Sequence, residues 1–508
     1  MRKNNIILAG FILLKFLLQY HLLSPEYDLQ RDEYLHLDQA NHLAWGYLSV
    51  PPVTSWISRI IQLLGNTVFW VKFFPALFGA LTIAVVWKTI EKLNGNLFAL
   101  ILGATCVLLS ALLRLNLLYQ PNSLEVLCWT TFYFIVIQYF RTEKSKWLFM
   151  GAIVFAISFL NKYNFAFLLI GIFPAILLTA QRNVFVKKEF YLSILLALLL
   201  ILPNLLWQYN NHFPVVHHMN ELAATQLVNV NRWGFLKEQL LFFIGALFVI
   251  ISALYALLFY PPFKKYRSFF WAMIITLSVF IFLKAKAYYA IGLYPVYIAF
   301  GAVYLSTILK TGWKKYLQPV AIAIPVVFFI PMYFVIFPNK SPDYIVEHAK
   351  AYKDLGLLRW EDGKDHALPQ DFADMLGWKE LAEKVDSICS TLPDLDQTLI
   401  LCDNYGQAGA INYYTTNKKV KANSFNADYI NWFNLNQKIV DVILVKEADE
   451  EDKERKVEIP LFDTVYLAAK RINQFAREEE ISIYVLRGAK VDVMKRIKDE
   501  METKKNYR

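Results

Sequence analysis

Apolar positions along most of this chain run on without a two- or 3.6-residue break. Stretches such as Ile194–Trp207, Leu240–Tyr260 and Val320–Phe337 are nearly free of charge. A bilayer core takes about 20 apolar residues of helix. Inside it every backbone N–H and C=O must be satisfied within the segment, which selects helices. Such segments recur up to about residue 340 and predict about eleven spans: 4–23, 67–89, 97–113, 122–140, 147–161, 165–180, 190–206, 236–259, 268–283, 288–308 and 317–337. The first follows Arg2 and Lys3, but its apolar run is long and no small-x-small site closes it. That predicts an uncleaved anchor rather than a signal peptide.

Two stretches break the apolar pattern. In Ser24–Asn66, Leu37, Ala40, Ala44 and Tyr47 fall at 3-4-3 spacing, with His36, Asp38, Gln39, Asn41 and His42 between them. This predicts an amphipathic helix on the outer leaflet, stopped by Pro51-Pro52. A second interfacial helix is predicted over Val53–Leu64. The tail, 341–508, reads as a soluble α/β domain. Leu399–Cys402, Val440–Lys446 and Ile481–Leu486 predict strands, while Leu376–Ile388 and Gln407–Tyr414 predict helices. Glu447–Glu458 reads as a solvated charged loop. The expected class is therefore mainly α, a polytopic helical domain over 1–340 followed by an extracytoplasmic α/β domain over 341–508.

Composition agrees. The chain of 508 residues is 56% hydrophobic and 19% charged, with mean hydropathy +0.35. A soluble domain averages about 45–50% apolar and about 25% charged. Charge separates the two parts. Residues 340–508 hold 26 Lys+Arg against 31 Asp+Glu, so they contribute −5 to the total of +10 and leave +15 to the membrane part. The basic residues there cluster in alternate connections: Lys88/Lys92, Arg141/Lys144/Lys146, Arg182/Lys187/Lys188, Lys264/Lys265/Arg267 and Lys310/Lys314/Lys315. This is the positive-inside pattern, not a nucleic-acid surface. It places the N-terminus in the cytoplasm and, with an odd number of spans, the tail outside. Of the four cysteines, Cys106 and Cys128 lie in apolar segments, while Cys389 and Cys402 lie in the tail and could pair. No CxxC supports a zinc ribbon or redox motif.

Candidate chemistry concentrates on the outer side. Asp32-Glu33 opens the first outer helix. A carboxylate there suits a general base, and an Asp directly before a helix is also a favoured N-cap. Arg114, Lys162, Lys284 and Lys286 sit where spans meet the outer loops, the side on which positive-inside bias predicts few cations. Ionisable groups at such positions are costly and often functional, and together they suit a lipid phosphate. Snorkelling to the interface is the structural alternative for each. Asp32/His36 and Asp38/His42 are spaced i,i+4, and His212, His217 and His218 share a later loop, but no closed metal motif results. No cofactor is therefore assigned, and a divalent metal stays open. GxGxxG, Walker and GxSxG motifs are absent, which leaves a nucleotide-driven pump unsupported.

These residues carry a family resemblance. Asp32-Glu33-Tyr34, then Leu43-Ala44-Trp45-Gly46-Tyr47 and Pro51-Pro52, resemble the first-loop signature of bacterial membrane glycosyltransferases of the protein O-mannosyltransferase and aminoarabinose transferase type. Tyr119-Gln120-Pro121-Asn122 with Trp129, Leu160-Asn161-Lys162-Tyr163, Pro203-Asn204 with Trp207 and His212, Lys284-Ala285-Lys286-Ala287-Tyr288-Tyr289 with Leu293-Tyr294-Pro295, and Asn404-Tyr405-Gly406-Gln407-Ala408 follow in the family's order. The resemblance implies a GT-C fold, a polyprenyl-phosphate sugar donor and an inverting transfer at the outer face. It puts the catalytic carboxylate on Asp32, with Glu33 beside it. It suggests that Lys162 and the Lys284/Lys286 pair hold donor phosphate. Arg114 and Tyr288 are expected to join them, and Tyr34, His36, Trp45, Tyr163 and His212 are expected to line the acceptor site or the cavity. One departure stands out: many relatives carry an Asp where this chain has Asn122, which cannot act as a base. Glu125 lies three residues on.

The expected function is a multi-pass glycosyltransferase of the bacterial inner membrane. It would pass a hexosyl- or pentosyl-type sugar from a lipid-phosphate donor to a surface glycan, lipid or protein. The alternative class is a transporter or flippase for a lipid-linked or anionic substrate. A structured outer loop and an outer soluble domain are not needed for alternating access, and no internal repeat pairs two halves.

Overall fold

A computed structural model of the chain describes residues 2–448, 452 and 454–506. Residues 449–451 and 453 of the expected charged loop lie outside the described residues. The chain forms two compact units. One holds the residues up to Leu23, Val50–Thr54 and Phe69–Asn339, and the other holds Ser24–Ser49, Ser55–Val68 and the residues from Lys340 on.

The first unit is helical, and this is a multi-pass membrane protein. A helix stands at each of the eleven expected spans. Among the described residues, six are long and apolar enough to cross a membrane: Val68–Lys92, Pro121–Thr142, Lys188–Asn210, Pro261–Phe282, Ala287–Ile308 and Gly312–Val335. Two bent pairs raise the number to eight, Phe165–Leu177 with Ala180–Val186 (110°) and Arg232–Phe242 with Ile244–Phe259 (66°). Leu97–Leu108 and Lys146–Phe159 are shorter apolar helices. Burial sorts them. Ala287–Ile308 is 83% and Pro121–Thr142 78% buried, so these two form the centre, whereas Gly312–Val335 is 11% buried and presents its apolar surface outward. Gly301 lets the Tyr294–Ile308 helix run directly against the backbone carbonyl of Val249, an approach any Cβ would block.

The second unit is built on a five-stranded sheet of order β2-β1-β3-β5-β4. The strands are β1 Thr398–Cys402, β2 Ala422–Ser424, β3 Asp441–Glu447, β4 Phe462–Ile472 and β5 Glu480–Ala489. β1 runs parallel to β2 and β3, while β5 is antiparallel to β3 and β4. The three expected strands are β1, β3 and β5, and the expected helices appear as Trp378–Cys389 and Tyr405–Tyr414. β2, β4 and a terminal helix at Val493–Asn506 were not foreseen. All four cysteines are buried and free, so Cys389 and Cys402 do not pair.

The first outer loop corrects the sequence reading. Its helix spans only Arg31–Asp38, passes into a 3-10 turn at Gln39–Asn41 and is irregular thereafter. It does not lie on a leaflet with a wet polar face. Glu33 through Ala40 are all buried within the second unit. The polar residues that looked like a solvent face are satisfied by the tail. Asp38 accepts from Asn412 Nδ2 (2.7 Å), Tyr429 Oη (2.7 Å) and Asn41 Nδ2 (2.8 Å), and Gln39 Nε2 donates to Asp428 (2.9 Å). Asp28 accepts from the backbone N–H of Trp378 (2.9 Å) and Lys379 (3.1 Å). Buried polar groups stay cheap only when paired in this way. The compact unit that holds the tail thus also takes in Ser24–Ser49 and Ser55–Val68. The second expected helix of this loop forms at Val53–Leu63.

Candidate active site

In the second unit the site is set by how the Arg31–Asp38 helix begins. Gln30, not Asp32, is its N-cap. The Gln30 side chain accepts from Asp32 N (2.9 Å), and Glu33 Oε2 accepts from Gln30 N (2.6 Å), closing a capping box. The cap assignment for Asp32 is thus corrected, and the fully buried Glu33 is the carboxylate spent on the backbone. Asp32 sits in the first helical turn, where the exposed N–H groups favour an anion. Its Oδ1 accepts from Tyr405 Oη at 2.6 Å. The Arg31 guanidinium lies 4.4 Å over the Tyr405 ring. Burial lowers Arg31's affinity for its proton, but Tyr405, Glu478, Asp374 and Asp32 more than offset this and hold it charged. Burial and the Asp32 anion both push the Tyr405 phenol up, so it remains a donor. Asp374 is pushed up to about 6 by burial, against the pull of Arg477 and Arg31.

Around this group, Tyr34 is buried among Trp378, Tyr413 and Tyr414, a packing position rather than a cavity wall. His36 is buried with Nδ1 3.3 Å from Gln39 Oε1, and burial lowers its pKa. Trp45 is 46% exposed and meets Trp56 edge-on at 5.4 Å. The Asp38/His42 pair does not make a metal site. Asp38 is used up by three hydrogen bonds and His42 stacks on Trp432 at 4.2 Å. Among the described residues no three His, Cys, Asp or Glu gather.

In the first unit Lys162 is the centre of a second cluster. Its Nζ lies 2.7 Å from Asn122 Oδ1, 3.1 Å from Glu125 Oε2, and over the rings of Tyr289 (4.6 Å) and Tyr288 (5.1 Å). Glu125 Oε1 accepts from Asn164 Nδ2 at 2.6 Å, and the same Nδ2 also reaches Tyr289 O at 3.0 Å. Glu125, one helical turn along Pro121–Thr142 from Asn122, thus sets a carboxylate beside Lys162, where Asn122 offers only its amide oxygen. Tyr163 is held apart from this by Asn204 and Gln208. Lys286 donates to Gln226 (2.6 Å), Lys284 is exposed with left-handed backbone (φ 52°), and Arg114 lies on the short Ala111–Leu115 helix. His212 is exposed in the loop after Lys188–Asn210 and joins neither cluster.

The profile of the dolichyl-phosphate-mannose-protein mannosyltransferase family matches residues 49–207. A lipid A galacturonosyltransferase, RgtD of Rhizobium johnstonii, is 24% identical over 310 residues, which is 56% of this chain and 62% of that protein. The chain thus spans less than two thirds of that relative. The crystal structure of ArnT from Cupriavidus metallidurans bound to undecaprenyl phosphate superposes with TM-score 0.61 at 12% identity, covering 94% of this chain and 97% of ArnT. Its apo form gives 0.62 at 11% identity, covering 95% and 98%. Agreement over nearly the whole of both chains fixes the fold. The chain has the GT-C fold. Within this fold, the tail element Asn404–Ala408, to which the sequence assigned no task, does most of the positioning around Asp32. Asn404 caps its helix through Gly406 N and Gln407 N. Tyr405 binds Asp32, and Gln407 Nε2 reaches Glu478 (2.8 Å). A Cβ on Gly406 would come within 3.0 Å of Arg31 Nε. Only the resemblance of the five residues could have flagged Tyr405, because its partner Asp32 lies 373 positions away.

Proposed function

We propose that this protein is an inverting glycosyltransferase of the bacterial inner membrane, with its N-terminus cytoplasmic and its second unit outside. It moves a hexosyl or pentosyl group from a polyprenyl-phosphate donor to a surface glycan, lipid or protein. Asp32 takes the proton of the acceptor hydroxyl. The acceptor oxygen bonds to the anomeric carbon as the carbon–oxygen bond to phosphate breaks, and polyprenyl phosphate leaves. A single displacement inverts the anomeric centre. Lys162, with Arg114, Lys284, Lys286 and Tyr288, meets the negative charge that grows on the leaving phosphate. The names of the relatives support the donor class: one structure of ArnT holds undecaprenyl phosphate.

The observation that carries the reading is the division of labour in Asp32-Glu33. One carboxylate caps the helix, while its neighbour is held by a phenol and stays partly accessible. The test is incubation of purified protein with undecaprenyl-phosphate sugars, following release of undecaprenyl phosphate together with comparison of surface glycans in cells with and without the protein. Failure to consume any such donor, with glycans unchanged, would remove the transferase reading.

A further inference from the structure

Beside Asp32, within the second unit, lies a cavity of about 290 Å³ to which the sequence reading gave no role. No aliphatic side chain lines it. Arg31 and Arg477 face four carboxyl groups, Glu361, Asp362, Glu447 and Glu478, with Trp360, His366 and Gln370 completing the wall. Its volume is near the lower end of small-molecule sites, about 300 Å³.

Most of these groups are already held in place. Arg477 pairs with Asp374 (3.1 Å), His366 with Asp362 (2.9 Å), and Gln370 with Glu361 (3.2 Å). Glu447 and Glu478 share the Asn404 amide at 2.6 and 2.9 Å. Arg31 is the exception. Its buried Nε has no hydrogen-bond partner among the described residues. The wall thus offers fixed acceptors from the carboxyl groups and guanidinium donors from Arg31 and Arg477. A vicinal diol, whose hydroxyls donate and accept at once, matches that arrangement. Four carboxyl groups against two arginines disfavour an anion, and a bare metal ion lacks a third ligand among the described residues.

We infer that this cavity binds a saccharide ring, neutral or amine-bearing, and that it is the acceptor subsite of the enzyme. The choice of acceptor rests on the transferase reading above, since the cations suited to the donor phosphate lie in the first unit and Arg31 adjoins the base. A ring held on Arg31 also bears on Tyr405, and through it on the Asp32 carboxylate.

The test uses the full-length protein in detergent, without donor. Three probes share one ring and differ in charge: methyl β-glucopyranoside, glucosamine and glucuronate. Saturation-transfer NMR with titration gives their dissociation constants. The first two should bind, and glucuronate should bind at least about tenfold more weakly. Glu447→Gln and Arg31→Met should each weaken the bound probes about five- to tenfold. Should Arg31→Met fail to fold, Glu447→Gln alone decides, since its side chain is only partly buried and of equal size. Tighter binding of glucuronate, or binding untouched by both variants, overturns the inference. Donor consumption is measured separately on the same preparations. Protein that consumes donor but shows no variant-sensitive saccharide binding sinks this subsite and leaves the transferase reading standing.

Discussion

Asp32 and Tyr405 give the sharpest tests at the scale of single residues. Gln30 caps the helix, so Asp32→Asn touches no cap and keeps the side chain's size. Transfer should fall by about 10²–10⁴-fold, the usual share of a general base, with the melting temperature unchanged. Near-normal turnover would mean a different base. Glu33→Gln is the matched control, because a glutamine serves the capping box as well; it should be nearly silent. Tyr405→Phe removes the 2.6 Å hydrogen bond to the carboxylate. That bond fixes where the carboxylate points, so its loss should lower kcat with donor KM unchanged. A purely structural tyrosine would lower the melting temperature and leave kcat of the folded protein in place. Glu447 supplies a stability test. Burial first, and then Glu478, push it up to about 7 from 4.5, against Asn404 and Arg31, while Asp403 adds to the rise. A carboxyl whose folded value lies above its unfolded one holds its proton more tightly in the folded protein. Its contribution to stability therefore falls as pH rises from about 4.5 to about 7. Glu447→Gln cannot ionise, so its melting temperature relative to wild type should be higher at pH 8 than at pH 5. A difference that is flat across that range would contradict the assignment.

At the scale of elements, the membrane helices were legible because hydrophobicity is a local property, and each of the eleven expected segments holds a helix. β1, β3 and β5 were legible for the same reason: they are short apolar runs between turn signals. β4 was missed because it is an edge strand with Tyr466 and Leu467 about half exposed, and its alternation is weak. The first-loop helix was misjudged because polar residues read as a solvent face when their partners are unknown. Asp38, Gln39 and Asp28 find those partners more than 340 positions away, which no periodicity reports. Asp32 was singled out by its place at the start of the loop helix and by its motif, but neither pointed to its phenol partner. Packing between the two segments hinges on Gly409. A Cβ there would meet Tyr34 Cβ at 2.7 Å and Tyr429 Oη at 2.9 Å. Gly409→Ala should therefore separate the Tyr405–Tyr414 and Arg31–Asp38 helices at a cost of about 1–3 kcal/mol, read as a lower melting temperature. Because Tyr405 rides on that helix, transfer should fall with it. A variant as stable and active as wild type would show that the helices can shift without loss.

For the whole molecule, connectivity constrains orientation. Ser24–Ser49 and the residues from Lys340 on form one compact unit, so both lie on one side of the membrane and the number of crossings between them is even. Six helices between them pass by length and composition, eight with the bent pairs, and the shorter Leu97–Leu108 and Lys146–Phe159 would make ten. All three totals satisfy the parity. The sign of the orientation then rests on the basic connections, such as Arg141, Lys144 and Lys146, which favour the cytoplasm. Cysteine labelling decides it, and the chain suits the method because its four native cysteines are buried. Leu43→Cys in the first loop and Asn417→Cys in the tail occupy exposed positions of the second unit, and Lys144→Cys occupies an exposed position between Pro121–Thr142 and Lys146–Phe159. A membrane-impermeant maleimide added to intact spheroplasts should label the first two and leave the third until lysis. The reverse pattern would put Asp32 on the cytoplasmic side and sink transfer at the outer face. Labelling of only one of the first two would contradict the even count, and with it the single unit formed by loop and tail.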